Sequence, residues 1–295
     1  MDEFKERLIS LLHYPDISWN TVLQILKKDP TLRNIYQLQK RPPQQTFLFP
    51  PLATKNTSEK PSNIPLHPDI IRDQIRQYKT NEITVITIID KEYPPLLKEI
   101  YQPPWALFIK GDLSLLETVP KLAVVGSRQA TQYGKNAIRS IFPGLVDKGV
   151  LIVSGLARGI DALAHEYAIK NGGRTIAVIA GGFYHIYPKE NMSLALEMMK
   201  NQLVLSEYPP DTKPLRWHFP SRNRIISGLS EGTFIIEAKR KSGSLITANF
   251  AVNEGRDVFS LPGNIFNPYS IGTNELIQQG AKLVTSAEDI LEEIR

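Results

Sequence analysis

Residues 121–182 read KLAVVGSRQATQYGKNAIRSIFPGLVDKGVLIVSGLARGIDALAHEYAIKNGGRTIAVIAGG. Three short apolar runs, Leu122–Val125, Leu151–Val153 and Thr175–Ile179, alternate with two longer segments, Tyr133–Lys148 and Ile160–Asn171. A run that is apolar at successive positions buries both of its faces, as strands of a parallel sheet do when helices cover the two sides. The longer segments have the length that a crossover helix between parallel strands needs.

The alternation continues outward in both directions. Apolar runs recur at Ile83–Ile89, Ala106–Ile109, Leu203–Leu205, Thr233–Ile236, Asp257–Ser260 and Leu283–Val284, with helical stretches at Asn191–Lys200, Leu245–Glu254 and Thr273–Gln279. This pattern predicts an α/β fold, an extended Rossmann-like, doubly wound, mostly parallel sheet. Upstream, a helix is expected near Pro68–Lys79. Leu8, Leu11 and Leu12, then Trp19, Val22, Leu23 and Leu26, carry the spacing of two amphipathic helices, with Ser18 as an N-cap. Pro42, Pro43, Pro50, Pro51, Pro61 and Pro65 crowd the stretch that also holds the polar run Thr54–Lys60. The expected division is therefore a small helical N-terminal domain with a Pro-rich linker over residues 1–66, and a sheet domain over residues 67–295.

Composition narrows the function. The 295 residues are 42% hydrophobic and 22% charged with a net charge of +5, the balance of an ordinary globular protein. From Lys213 to Lys241 there are seven Lys or Arg against two Glu, an excess of five that equals the net charge of the whole chain. Basic character concentrated in one stretch points to an anionic partner. The absence of cysteine excludes disulfides, thiolate metal sites and cysteine nucleophiles. No leader-like start and no membrane-length apolar run is present, so a cytoplasmic protein without membrane contact is expected.

In doubly wound sheets ligands lie beyond the carboxyl ends of the strands. After the first quoted run come Gly126, Ser127 and Arg128, where backbone N–H groups, a hydroxyl and a guanidinium suit a phosphate. Ser154, Gly155, Gly159 and Asp161 follow the second, in a spacing that matches neither the dinucleotide fingerprint nor a Walker loop. Asp161 and His165 share a helix face but pair with no obvious nucleophile, so capping and packing is the preferred reading. After the third, Phe183, Tyr184 and Tyr187 are either base-stacking rings beside the cation Lys189 or lids of the core. Arg222 and Arg224 flank Asn223, while Ser242, Gly243 and Ser244 open a helix in an anion-binding geometry. His165, His185 and His218 lack metal-ligand spacing; neither a metal nor a cofactor is expected.

Taken as an ordered set, VGSR (125–128), SGLARGID (154–161), HFPSRNRIISGLS (218–230), SGSLITA (242–248), GRDVFSLPG (255–263) and GTNELIQQGAKLV (272–284) closely resemble the DprA/Smf family, that of DNA-processing protein A. The resemblance covers roughly Tyr93 to Ile294. It implies a Rossmann-like domain preceded by a small SAM-like helical domain, without the C-terminal winged helix of some relatives. It also implies a protein that is not an enzyme, binds and protects single-stranded DNA in natural transformation, loads the recombinase RecA onto it and forms a homodimer through the region Leu245–Gln279. Carried over by motif, Arg128 and Lys189 are the charge contacts; Gly126, Ser127, Ser154, Gly155, Phe219, Arg222 and Asn223 line the pocket, with Gly243 and Ser244 beside them. The alternative is a nucleotide-binding protein or a phosphoribohydrolase of the LOG type, which acts on nucleoside monophosphates. That chemistry needs a carboxylate where this chain has Thr247 and Ala248, leaving Glu237 as a substitute.

Overall fold

The computed structural model describes residues 3–14, 17–35 and 68–294, which fall into two units, Met1–Ile83 and Thr84–Arg295. The Pro-rich linker expected between Pro42 and Pro65 lies outside the described residues.

In the first unit, α1 (Glu3–Leu12), α2 (Trp19–Lys28) and α3 (Pro68–Thr80) bury Leu8, Ile9, Leu11, Val22, Ile71 and Ile75. Ser18 caps α2, its hydroxyl accepting from the Thr21 N–H at 3.1 Å. The expected helices at both ends of this unit are present.

The second unit is built on one nine-stranded sheet. Its strands are β1 (Thr84–Thr87), β2 (Ala106–Gly111), β3 (Lys121–Val125), β4 (Leu151–Ser154), β5 (Thr175–Ile179), β6 (Leu203–Ser206), β7 (Gly232–Ile235), β8 (Asp257–Ser260) and β9 (Lys282–Leu283). Their order across the sheet is β1-β2-β6-β5-β4-β3-β7-β8-β9. The β1/β2 and β2/β6 pairings are antiparallel and all others parallel. Each apolar run of the sequence is thus a strand, and the mostly parallel α/β sheet is present.

Side-chain alternation explains why the runs are apolar throughout. Ala123 and Val125 of β3 enter one core, while Leu122 and Val124 enter the other. The helices are α4 (Pro95–Lys98), α5 (Gln132–Asp147), α6 (Ile160–Lys170), α7 (Met192–Asn201), α8 (His218–Gly228), α9 (Gly243–Asn253), α10 (Ile271–Gln278) and α11 (Glu288–Leu291). Leu97 of α4, Ile225 and Ile226 of α8, Ala248 of α9 and Leu276 of α10 fill the first core. Ile138 and Phe142 of α5, Ile160 and Ala164 of α6, and Ile290 of α11 fill the second.

The helical stretches read from the sequence do not include the segment between the sixth and seventh strands, where α8 lies. It buries His218, Arg222, Arg224, Ile225, Ile226, Ser227 and Gly228, so no polar face alternates with an apolar one. Because β3 and β7 are neighbours while the chain runs outward from β3 through β4, β5 and β6 before returning, the β3/β7 boundary is the topological switch point. Among the described residues, no helix is long and apolar enough to cross a membrane.

Candidate nucleic-acid interface

The loop after β3 is shaped by what lies under it. A Cβ on Gly126 would stand 2.7 Å from the Ile160 side chain, and one on Gly159, whose φ is +78°, would stand 2.3 Å from the Ser127 carbonyl oxygen. Only glycine allows both approaches. The Ile160 N–H then donates to that carbonyl at 3.1 Å, seating the loop on the start of α6. Ser127 closes a turn locally, its Oγ accepting from the Gln129 N–H at 3.0 Å, and Arg128 is left exposed. Further along, Thr131 caps α5 and is held from β7: Glu237 accepts from the Thr131 N–H at 2.9 Å and from its hydroxyl. The loop is tied a third time where the Tyr269 hydroxyl donates to Gln129 Oε1 at 2.6 Å.

After β4 the Ser154 hydroxyl is buried and donates to the Val124 carbonyl at 2.6 Å. Gly155 follows with the Arg222 guanidinium against its backbone; a Cβ there would lie 1.9 Å from Nη1. Asp161, one turn into the loop's own helix, accepts from the backbone N–H groups of Ala157 and Gly155. Its burial pushes the carboxyl above the usual carboxylate range, against the opposing pull of Arg222 and Arg128. His165 turns to Thr175 instead of Asp161, with Nδ1 2.6 Å from Oγ1.

Asn191 joins this loop to the next. Its Nδ2 donates to the carbonyls of Leu156 at 2.8 Å and Ala157 at 3.1 Å, and Glu190 pairs with Arg158. The turn that begins with exposed Lys189 is thereby fixed beside the β4 loop. Of the three rings singled out in the sequence, Phe183 is core, whereas Tyr184 and Tyr187 are 54% and 51% exposed.

Helix α8 supplies the remaining wall. The half-buried Phe219 ring lies with its centroid 5.6 Å from that of Tyr187, edge to face, and Arg128 Cζ is 5.8 Å from the same centroid. Tyr187 and Arg128 thus both meet the Phe219 ring, a row of ring, ring and cation joined through Phe219 beyond the carboxyl ends of the strands. One turn on, Arg222 is 4% exposed and donates from Nη1 to the Val178 carbonyl at 2.5 Å. Desolvation lowers its pKa to about 10, with Asp161 opposing the shift. Arg224 is paired with Glu207 in the interior. Asn223 reaches across with Nδ2 to the Gly243 carbonyl at 3.3 Å, linking α8 to the exposed start of α9. Ser244 is buried there, its Oγ 2.7 Å from that of Ser242.

The expected residues thus divide by depth. Arg128, Lys189, Gly243 and, in part, Gly126, Ser127, Phe219 and Asn223 reach the surface; Ser154, Gly155, Arg222 and Ser244 lie beneath it. Sequence reasoning did not find Asn191 or Tyr269 as anchors. The first carries the weak signal of an Asn ending a Pro-containing turn, and the second carries none. Among the described residues, no group of three or more His, Asp or Glu is placed to hold a metal ion.

The profile of the DNA recombination-mediator protein A family matches residues 84–295. The chain is 55% identical over 217 residues to DNA processing protein DprA of Bacillus subtilis, covering 74% of this chain and 73% of that one. To DprA of Streptococcus pneumoniae it is 52% identical over 207 residues, 70% of this chain and 73% of the relative. Among solved structures, DNA processing protein A from S. pneumoniae superposes with a TM-score of 0.77 at 38% identity, covering 98% of each chain. That from Helicobacter pylori, described for its single-stranded DNA binding mode, gives 0.66 at 32% identity over 72% of this chain and 98% of its own. The chain belongs to the DprA/Smf family.

Proposed function

We propose that the chain binds single-stranded DNA along the row Tyr187–Phe219–Arg128, protects incoming DNA in natural transformation and loads RecA onto it, acting as a homodimer and without catalysis. The row carries the reading: two accessible rings and a guanidinium in contact, with Lys189 two residues from the outer ring. Rings stack on any base and cations follow the phosphates, so such a surface takes single strands with little regard for sequence. Gly126, Ser127, Asn223, Gly243 and Ser244 border it at loop ends and a helix start, where polar backbone groups favour anions. The single-stranded DNA binding mode described for the H. pylori relative supports the same ligand. A binder is favoured over a phosphoribohydrolase because the Glu237 carboxylate is 1% exposed and committed to Thr131.

The test is fluorescence anisotropy of labelled oligo-dT over a salt series. Arg128→Ala and Lys189→Ala each lower affinity and reduce the slope of log affinity against log salt by about 0.7, the value for one lost phosphate contact on a single strand. Phe219→Ala lowers affinity by roughly 1 to 3 kcal/mol and leaves the slope alone. A parent that binds no oligonucleotide, or folded variants that bind as the parent does, would refute the assignment. RecA loading is read separately, as faster RecA filament formation on strands presented with the protein.

A further inference from the structure

Arg222 has the charge of a phosphate contact and the position of something else. It is 4% exposed, its Nη1 is spent on the Val178 carbonyl at the end of β5, and its guanidinium fills the space that a side chain at residue 155 would need. The Asp161 carboxyl lies near enough to favour its charge through space and accepts from the Gly155 and Ala157 N–H groups. The two buried groups therefore bear on four elements: the end of β5, the loop after β4, and helices α6 and α8. On α8, Phe219 lies three residues before Arg222 and so projects from the same side of the helix.

We propose that Asp161 and Arg222 are positioning residues for single-strand binding: the pair fixes the roll of α8 and the seat of the 155–157 loop, and so places the Phe219 ring between Arg128 and Tyr187. Arg222 touches no phosphate. Asp161 compensates the buried guanidinium, so the charge presented to the strand is that of Arg128. Gly155 is part of the device, because any side chain there displaces the guanidinium. This inference rests on the binding row proposed above.

The experiment combines the oligo-dT salt series with a double-substitution cycle. Arg222→Met keeps the length and removes the charge and the fork. The expected result is a loss of affinity of about tenfold or more with the salt slope of the parent, since no counterion-releasing contact is removed. In the cycle, Arg222→Met added to Phe219→Ala weakens binding less than twofold further, because Arg222 acts through that ring. Arg222→Lys, which keeps a charge but cannot span Val178 and Gly155 together, is expected to behave as Arg222→Met does, and thermal melts establish that each variant is folded. A slope reduced by a phosphate contact's worth, or losses that add with Phe219→Ala, makes Arg222 a direct contact and overturns the proposal. Variants that all fail to fold overturn it too, since the pair would then hold the fold and not the ring. If the parent binds no oligo-dT, or Arg128→Ala leaves its slope unchanged, the binding row fails and takes this inference with it, whereas an adverse Arg222 result beside a row that behaves as expected overturns this inference alone.

Discussion

His165 shows how a single buried group ties stability to pH. It is 0% exposed, and its Nδ1 faces the Thr175 hydroxyl, which itself donates to the Ile152 carbonyl at 2.8 Å. Thr175 Oγ1 therefore accepts from Nδ1–H, and Nε2 has no partner. Burial, reinforced by Arg222, lowers its pKa to about 3, and burial lowers that of His218 to about 4, an effect its hydrogen bond to the Ala180 carbonyl only partly offsets. Both imidazoles bind protons more readily unfolded, near pH 6.5, than folded. Their contribution is complete above pH 6.5 and is lost as the pH falls towards 4, at up to about 1.4 kcal/mol per pH unit for each. Urea unfolding at several pH values between 6.5 and 4.5 should show this slope, and His165→Asn should remove about one proton's share of it. An unchanged slope in that variant would mean His165 is protonated in the fold.

At the level of elements, the strands were legible and the helix that matters most was not. Strands β3 to β8 announce themselves because an apolar run bounded by Gly, Ser or Asp has few other uses. Helix α8 hides because none of its residues is fully exposed and charged residues share its buried positions, which erases its periodicity, and because those polar residues are consumed internally: Arg222 by Val178, Arg224 by Glu207, His218 by Ala180. For the same reason Arg222 read as a surface contact in the sequence, where charge is visible and depth is not. The start of α5 is a further case, since its anchor is Glu237 at the end of β7, 106 residues from Thr131. Gly134 gives that carboxylate room, as a Cβ there would lie 2.6 Å from Oε2. Removing the acceptor strands two partly buried donors of Thr131, so Glu237→Ala should cost about 1 to 3 kcal/mol in chemical denaturation. Glu237→Gln keeps an oxygen for the N–H and should cost no more than about 1 kcal/mol, with oligo-dT affinity within about twofold of the parent. A glutamine variant that folds normally yet loses a nucleotide-hydrolysing activity of the parent would revive the enzyme reading.

For the whole molecule, the sheet's order places the β3/β7 switch point between two halves, and among the described residues the segment after β8 carries the most exposed apolar side chains. Ile265 and Phe266, adjacent in the loop between β8 and α10, are 74% and 88% exposed, and Val252 on α9 is 62% exposed. All three fall within the region Leu245–Gln279 from which a homodimer is expected. Both sides of that loop tip are bonded to the Arg128 loop's neighbourhood, the Tyr133 hydroxyl donating to the Pro262 carbonyl and the Tyr269 hydroxyl to the Gln129 side chain. Burying a Phe or Ile side chain contributes about 1.5 to 3 kcal/mol, enough for these residues to decide association of a modest interface. A dimer would present two binding rows, and a strand long enough to reach both gains from the raised effective concentration of the second. Phe266→Asp should therefore turn a dimer into a monomer in sedimentation velocity while leaving the thermal melt of the protomer intact. The same variant should bind an oligo-dT of about 8 nucleotides as the parent does, since one row suffices for that length. An oligomer several times longer should lose about tenfold or more in affinity, because only the dimer engages it twice. A parent that sediments as a monomer, or a variant that remains dimeric, would remove this surface from the interface, and equal losses on short and long strands would separate dimerisation from DNA binding.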